Sequence, residues 1–288
     1  MSLVDRVREA NHDAGWRGLA FAVAGREVGE VHPETAARLL AHREVFRETA
    51  LGISLSEALD APRVSARERS QAVAEVLVGF KRDGTVTGWR DEPYAVKTDW
   101  AEPALLHVER AAAPLFGVRG FGVHLNGYSV GPHGDVRLWV ARRSASKGVD
   151  PGKLDQMVAG GQPANLGLRE NLIKECAEEA AIGAQVAARA VAVGTIQYEL
   201  RLDRVRRPDT LFCFDLELPD SFVPRNTDGE VESFELWELD RVLARLEETT
   251  DFKFNCALVV IDFLMRRGHL SPEYAGYEWL SRALRGAI

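Results

Sequence analysis

Apolar and polar positions change period several times along the chain. LAFAVAG (19–25) and REVGEVH (26–32) read as a short β pair with a turn near Gly25. Pro33 then opens PETAARLLAHREVF, whose apolar residues fall at helical spacing. RERSQAVAEVLVGFKRDG predicts a second helix, closed by Gly84. Pro103 and Pro114 punctuate the approach to the next region. From Phe121 the pattern changes. GVHLNGYSV and DVRLWVARRS read as strands around the turn GPHG. VAARAVAVGTIQYELRLD and TLFCFDLEL add strand character, and GEVESFELWELD is a strand running into a turn. ELDRVLARLEETTDFKFNCALVVIDFLMRRG then supplies two helices. This order predicts an α/β fold in which helices cover the faces of a mixed sheet, with a smaller α/β domain ahead of it. The expected division is 1–118 and 119–288.

The helical stretch within residues 168–182 is unusual. At about 3.6 residues per turn, Glu175, Glu178 and Glu179 share one arc, while Leu172, Ile173, Cys176 and Ala180 fill another. Like charges three and four residues apart destabilise a helix by roughly 0.2–0.5 kcal/mol per pair. A hard divalent cation removes that repulsion. A solvated acidic stripe balanced by Lys174 is the plainer alternative, and spacing alone does not separate the two. The preceding GGQPANLG adds flexible backbone with N–H groups able to bend around a phosphate. Taken together, the two features predict a diphosphate beside a metal.

Composition narrows the setting. The chain has 288 residues, 46% of them hydrophobic, and a net charge of -7. That is enough apolar residue for a sizeable core, and the acidic balance argues against a nucleic-acid partner. The start is charged, and the apolar run CALVVIDFL is too short to span a membrane and carries Asp262. The expectation is a cytoplasmic protein with neither a membrane nor a nucleic-acid partner. Three scattered cysteines suggest no disulfide framework.

The acidic helix and its approach resemble the signature of the Nudix hydrolases, G-x5-E-x7-R-E-U-x-E-E-x-G-U, where U is bulky and apolar. Glu175, Glu178 and Glu179 match the metal-binding glutamates, Lys174 stands for the arginine, and Cys176 and Ile182 fill apolar slots. Ala181 replaces the second glycine. The first glycine falls on Gly160 and the first glutamate on Leu166, so that carboxylate is absent. GWRDEPYAV, VERAAAPLFGV and GVHLNGY extend the resemblance to the branch related to thiamine pyrophosphokinase, which carries an N-terminal domain designated DUF4743.

The resemblance implies a Nudix α/β/α sandwich and a pyrophosphohydrolase using Mg²⁺, or alternatively Mn²⁺, held by Glu175, Glu178 and Glu179. The implied substrate is a small organic diphosphate cut to its monophosphate, with thiamine diphosphate or its oxidised analogues as the leading case. ADP-ribose or another nucleotide diphosphate is one alternative, and noncatalytic ligand binding on the same fold is another. Many family members draw a further glutamate from a later strand. Glu230, beside the Gly229 turn, is preferred here over Glu232 and Glu235 as general base, with Glu175 as an alternative. Gly160, Gly161, Lys153 and Arg143 are candidate phosphate contacts. His124 and Asn126 are candidates for reading a substrate ring, as are the aromatics Trp16, Trp89 and Tyr94. Lys174 is retained as a catalytic cation. Cys176 faces the apolar arc and is assigned a structural role.

Overall fold

The computed structural model describes residues 2–286. It opens with α1 (Leu3–Ala10). A four-stranded sheet follows, built from β1 (Leu19–Val23), β2 (Arg26–Val31), β3 (Phe46–Thr49) and β4 (Gly52–Leu55) in the order β2-β1-β4-β3. α2 (Pro33–Leu40), α3 (Glu57–Asp60) and α4 (Ala66–Arg82) accompany it. Ser65 and Glu68 form a capping box that starts α4. β5 (Pro93–Val96) and β6 (Leu106–Glu109) pair as a separate antiparallel ribbon, and α5 (Ala113–Phe116) leads onward.

The larger sheet contains β7 (Gly120–Val130), β8 (Val136–Arg143), β9 (Leu154–Asp155), β10 (Val158–Gly161), β11 (Val191–Leu202), β12 (Val205–Glu217) and β13 (Val231–Glu238). Its main path runs β11-β12-β7-β8-β13, with β10 against β7 and β9 against β8. β12 and β7 are parallel and the other pairs antiparallel, so the sheet is mixed.

α6 (Leu168–Ala180) and α7 (Ala184–Ala187) cover one face, where Val123, Leu125, Val158, Leu172, Cys176 and Phe214 pack together. α8 (Leu239–Glu248), α9 (Phe254–Arg266) and α10 (Tyr277–Ala283) cover the other. α9 is buried almost all round because α1 closes over it: Leu3, Val7 and Ala10 join this core. The result is the expected α/β/α sandwich, with the smaller sheet holding a separate core around Phe21, Phe46, Ile53 and Phe116.

Three local expectations change. α2 ends at Leu40, because Val45 and Phe46 turn into the core of the smaller sheet. Val186 and Ala187, read with the strand that follows, belong to α7. Gly160 and Gly161, read as loop, are the end of β10 and pair with Val123 and Gly122.

Candidate active site

The apolar arc of α6 sets its rotation. Leu172, Cys176 and Ala180 are fully buried against the sheet. That turns Glu175 toward β10: a Cβ on Gly160 would collide with its side chain. Glycine is needed there for close approach, not for loop flexibility. Glu179 goes deeper. Its side chain accepts from the Ala159 N–H at 2.9 Å, and the residue is only 7% exposed. Glu178 is the outermost. Lys174 Nζ donates to it at 2.6 Å and to Glu175 at 3.3 Å. The structure therefore gathers Gly160, Lys174, Glu175, Glu178 and Glu179 around one end of β10.

Glu230 approaches from the start of β13. It is paired with Lys147, and Lys147 is thereby occupied. Burial alone raises the Glu230 carboxyl, but the Lys147 hydrogen bond and charge, with Arg90 and Arg143 nearby, hold it below its ordinary value. Glu232 is exposed, and Glu235 is tied to Trp237 and Arg241.

The helix carboxylates behave differently. Burial pushes Glu175 up, Glu178 adds to the push, and Lys174 and Arg110 oppose it. Burial also lifts Glu179 well above the carboxylate range; the Ala159 N–H opposes this, while Asp155, Glu175 and Glu230 reinforce it. Among the described residues, no three acidic, histidine or cysteine side chains converge as a ready-made ligand set. Even so, the donors suit a hard cation. They are carboxylate oxygens on one helix face, Glu179 buried and Glu175 half-buried, and burial raises both. Glu178, held by Lys174, is the outer donor of the three.

Other candidates lie elsewhere. His124 and Asn126 alternate with Val123 and Leu125, so they point away from α6 into the α9 side. His124 bonds Gln156 at 2.8 Å and Asn126 bonds Asp215 at 3.0 Å, both buried. They serve core polar pairing instead of the expected ring contact. Because β7 is covered on both faces, its sequence gives no alternation that distinguishes them. Arg143, expected near phosphate, is locked to Asp155 at 2.8 Å and to the Val149 and Asp150 carbonyls. Lys153 donates to the Thr250 carbonyl. Trp16 packs edge-on against His32, and Trp89 lies under Lys81. Cys176 is buried, and its thiol is pushed up to about 12, as suits a packing role.

Of the candidate aromatics, Tyr94 does reach the site, and it brings Arg110, which has no local sequence signal. Arg110 lies over the Tyr94 ring, 5.5 Å from its centroid, and bonds Glu92 at 2.8 Å. Both Tyr94 and Arg110 press against Gly161, where a Cβ would collide with the Tyr94 hydroxyl. The β5–β6 ribbon thus closes on the end of β10. The loop braces itself without the signature's first glutamate: Gln162 Nε2 donates to the Pro163 and Leu166 carbonyls at 3.2 and 2.7 Å. Asn171 adds a bond to the Gly161 carbonyl at 2.9 Å.

This chain is 42% identical over 277 residues to Nudix hydrolase 20, chloroplastic, of Arabidopsis thaliana, covering 93% of this chain and 72% of that protein. It belongs to the Nudix hydrolase family. Nudix hydrolase 24, chloroplastic, of the same plant is 43% identical over 270 residues, with the same coverage of both chains. A family model described as "Domain of unknown function (DUF4743)" matches residues 2–120 of this Nudix hydrolase. Among solved structures, the Nudix domain of Shewanella oneidensis NrtR, complexed with ADP ribose, aligns with 53% of this chain and 90% of that one, at 14% identity and a TM-score of 0.42.

Proposed function

We propose that this Nudix hydrolase is Mg²⁺-dependent and cuts a small organic diphosphate to its monophosphate, with thiamine diphosphate or an oxidised analogue as the leading substrate. The observation that carries the reading is the α6 face, where one buried, one half-buried and one outer carboxylate lie at the end of β10. Glu175, Glu178 and Glu179 would hold the cation. Bound there, a divalent cation supplies positive charge against the phosphate oxygens and lowers the pKa of water in the site.

Glu230 takes the proton of the attacking water in this reading, because it lies outside the helix, just ahead of β13, and its charge reaches Glu179. Its pair with Lys147 opens as it does so. The water oxygen bonds to phosphorus, the bridging P–O bond breaks, and its electrons leave with the departing phosphate. Arg110, close to Glu175 and to Gly161, steadies phosphate charge from the other side.

The test is release of monophosphate from thiamine diphosphate, its oxo and oxy analogues, ADP-ribose, NADH and nucleoside triphosphates at equal concentration, with and without Mg²⁺. The reading expects Mg²⁺-dependent turnover and the highest kcat/KM for a thiamine compound. Preference for ADP-ribose or a nucleotide would discard the thiamine assignment. Binding of these compounds without turnover would contradict the catalytic one.

A further inference from the structure

A pocket of about 130 Å³ lies between the β5–β6 ribbon and the loop after β10. Tyr94, Lys97 and Trp100 line it from one side, and Phe121, Gln162 and Leu166 from the other. Trp100 meets Phe121 and Phe212 edge-on, each at 5.2 Å between ring centroids. Lys97 Nζ donates to the Trp100 carbonyl at 3.0 Å and sits 4.4 Å from the indole centroid, which fixes that turn. Leu166 puts an apolar wall where the family signature has a carboxylate. A cavity of roughly 150 Å³ accommodates a benzene ring, so this one suits a single ring. It is too small for a whole organic diphosphate, whose sites run to roughly 300–1,000 Å³. It is therefore part of a larger site.

Its position shows which site. Gly160 touches Glu175, Gly161 touches Tyr94 and Arg110, and Gln162 follows directly. The pocket begins at Gln162, two residues beyond Gly160, whose backbone faces Glu175. Gln162 also holds the edge of the pocket rigid. It is 4% exposed, and its amide nitrogen donates to two carbonyls, which fixes the orientation of the amide. Among the described residues its buried Oε1 has no partner.

We propose that this pocket is the ring subsite: it takes one flat aromatic heterocycle, packed against Trp100. The phosphate end then lies toward Glu175, Glu178 and Glu179. That orientation and the choice of thiamine compounds rest on the diphosphate reading above; the preference for one flat ring rests on the pocket alone.

Calorimetric titration of the full chain with thiamine monophosphate, AMP and methyl phosphate separates ring recognition from phosphate binding and needs no turnover. The expected order places thiamine monophosphate tightest. Trp100→Leu removes the aromatic wall, whereas Ala164→Phe fills the pocket. Each should cut the advantage of thiamine monophosphate over methyl phosphate about tenfold, the scale of one lost stacking contact. Melting curves establish that the variants are folded. Equal binding of thiamine monophosphate and methyl phosphate to the wild type would overturn the proposal. So would variants that weaken both ligands alike, and tighter binding of AMP would overturn the single-ring assignment. Ring selectivity without diphosphate cleavage would defeat the hydrolase reading and leave the subsite standing.

Discussion

Asp155, Asp215 and Asp262 are buried on the α9 side of the larger sheet, and each has a guanidinium. Arg143 reaches Asp155 at 2.8 Å, and Arg266 reaches Asp215 and Asp262 at 2.6 and 2.7 Å. Glu179, buried on α6, and Glu175, half-buried beside it, have no arginine salt bridge among the described residues. Glu179 has only a backbone N–H, and Glu175 only a long contact to Lys174. The consequence is opposite in sign. Asp155 is buried, yet the charges of Lys253 and Arg143 hold it below its ordinary value. Glu179 is equally buried and sits well above. One set is neutralised by the fold itself. The other is left short of positive charge, which a folded protein tolerates where a ligand supplies it.

Breaking the neutralised set should have the largest effect on stability. Arg143→Met keeps an apolar stem but strips Asp155 of its partner. Denaturant unfolding should show a loss of about 3–5 kcal/mol, as when one member of a buried ion pair is removed. A loss below about 1 kcal/mol would mean that Lys253 alone suffices for Asp155.

His124 gives the next effect. Burial pushes its imidazole down to about 4 from an ordinary value of 6.5. Between those values the unfolded chain binds a proton that the folded chain refuses, so stability rises with pH across that window and is lost as pH falls through it. The expected contribution is up to about 3 kcal/mol. His124→Gln should flatten that slope in unfolding measured from about pH 4 to 7. An unchanged slope would place the acid sensitivity elsewhere.

The smallest effect belongs to the end of α6. Ala181 closes the helix in the left-handed region, at φ 54. The family signature has glycine there. Ala181→Gly should stabilise the fold by about 1 kcal/mol, the scale of the side-chain penalty in that region, without altering the carboxylates. Destabilisation would show that the Ala181 methyl contributes packing that outweighs its strain.

Much of this contrast was legible in the sequence. Helical spacing placed Glu175, Glu178 and Glu179 on one arc and Cys176 on the apolar one, and the structure places them so. Glycine misled: Gly160 and Gly161 read as loop but end a strand, because their lack of side chain admits Glu175 and Tyr94. Arg143 read as a free cation near the loop, since its partner Asp155 is met only after β8 and β9 pair. Arg110 and the Trp100 pocket were not legible. They reach the site by folding of the β5–β6 ribbon onto β10, and no local periodicity encodes that contact.

The central claim is that α6 carries a buried carboxylate, Glu179, that no cationic side chain pairs with among the described residues and that a divalent cation would neutralise. Melting of the wild type and of Glu179→Gln, each with and without Mg²⁺, tests it most directly. The amide oxygen that this substitution introduces can still accept from the Ala159 N–H, so the variant removes charge and little else. The account predicts that Glu179→Gln melts at or above the wild type without Mg²⁺, and that Mg²⁺ raises the wild type but much less the variant. A variant that melts several degrees lower without Mg²⁺, yet gains the full Mg²⁺ shift, would contradict it.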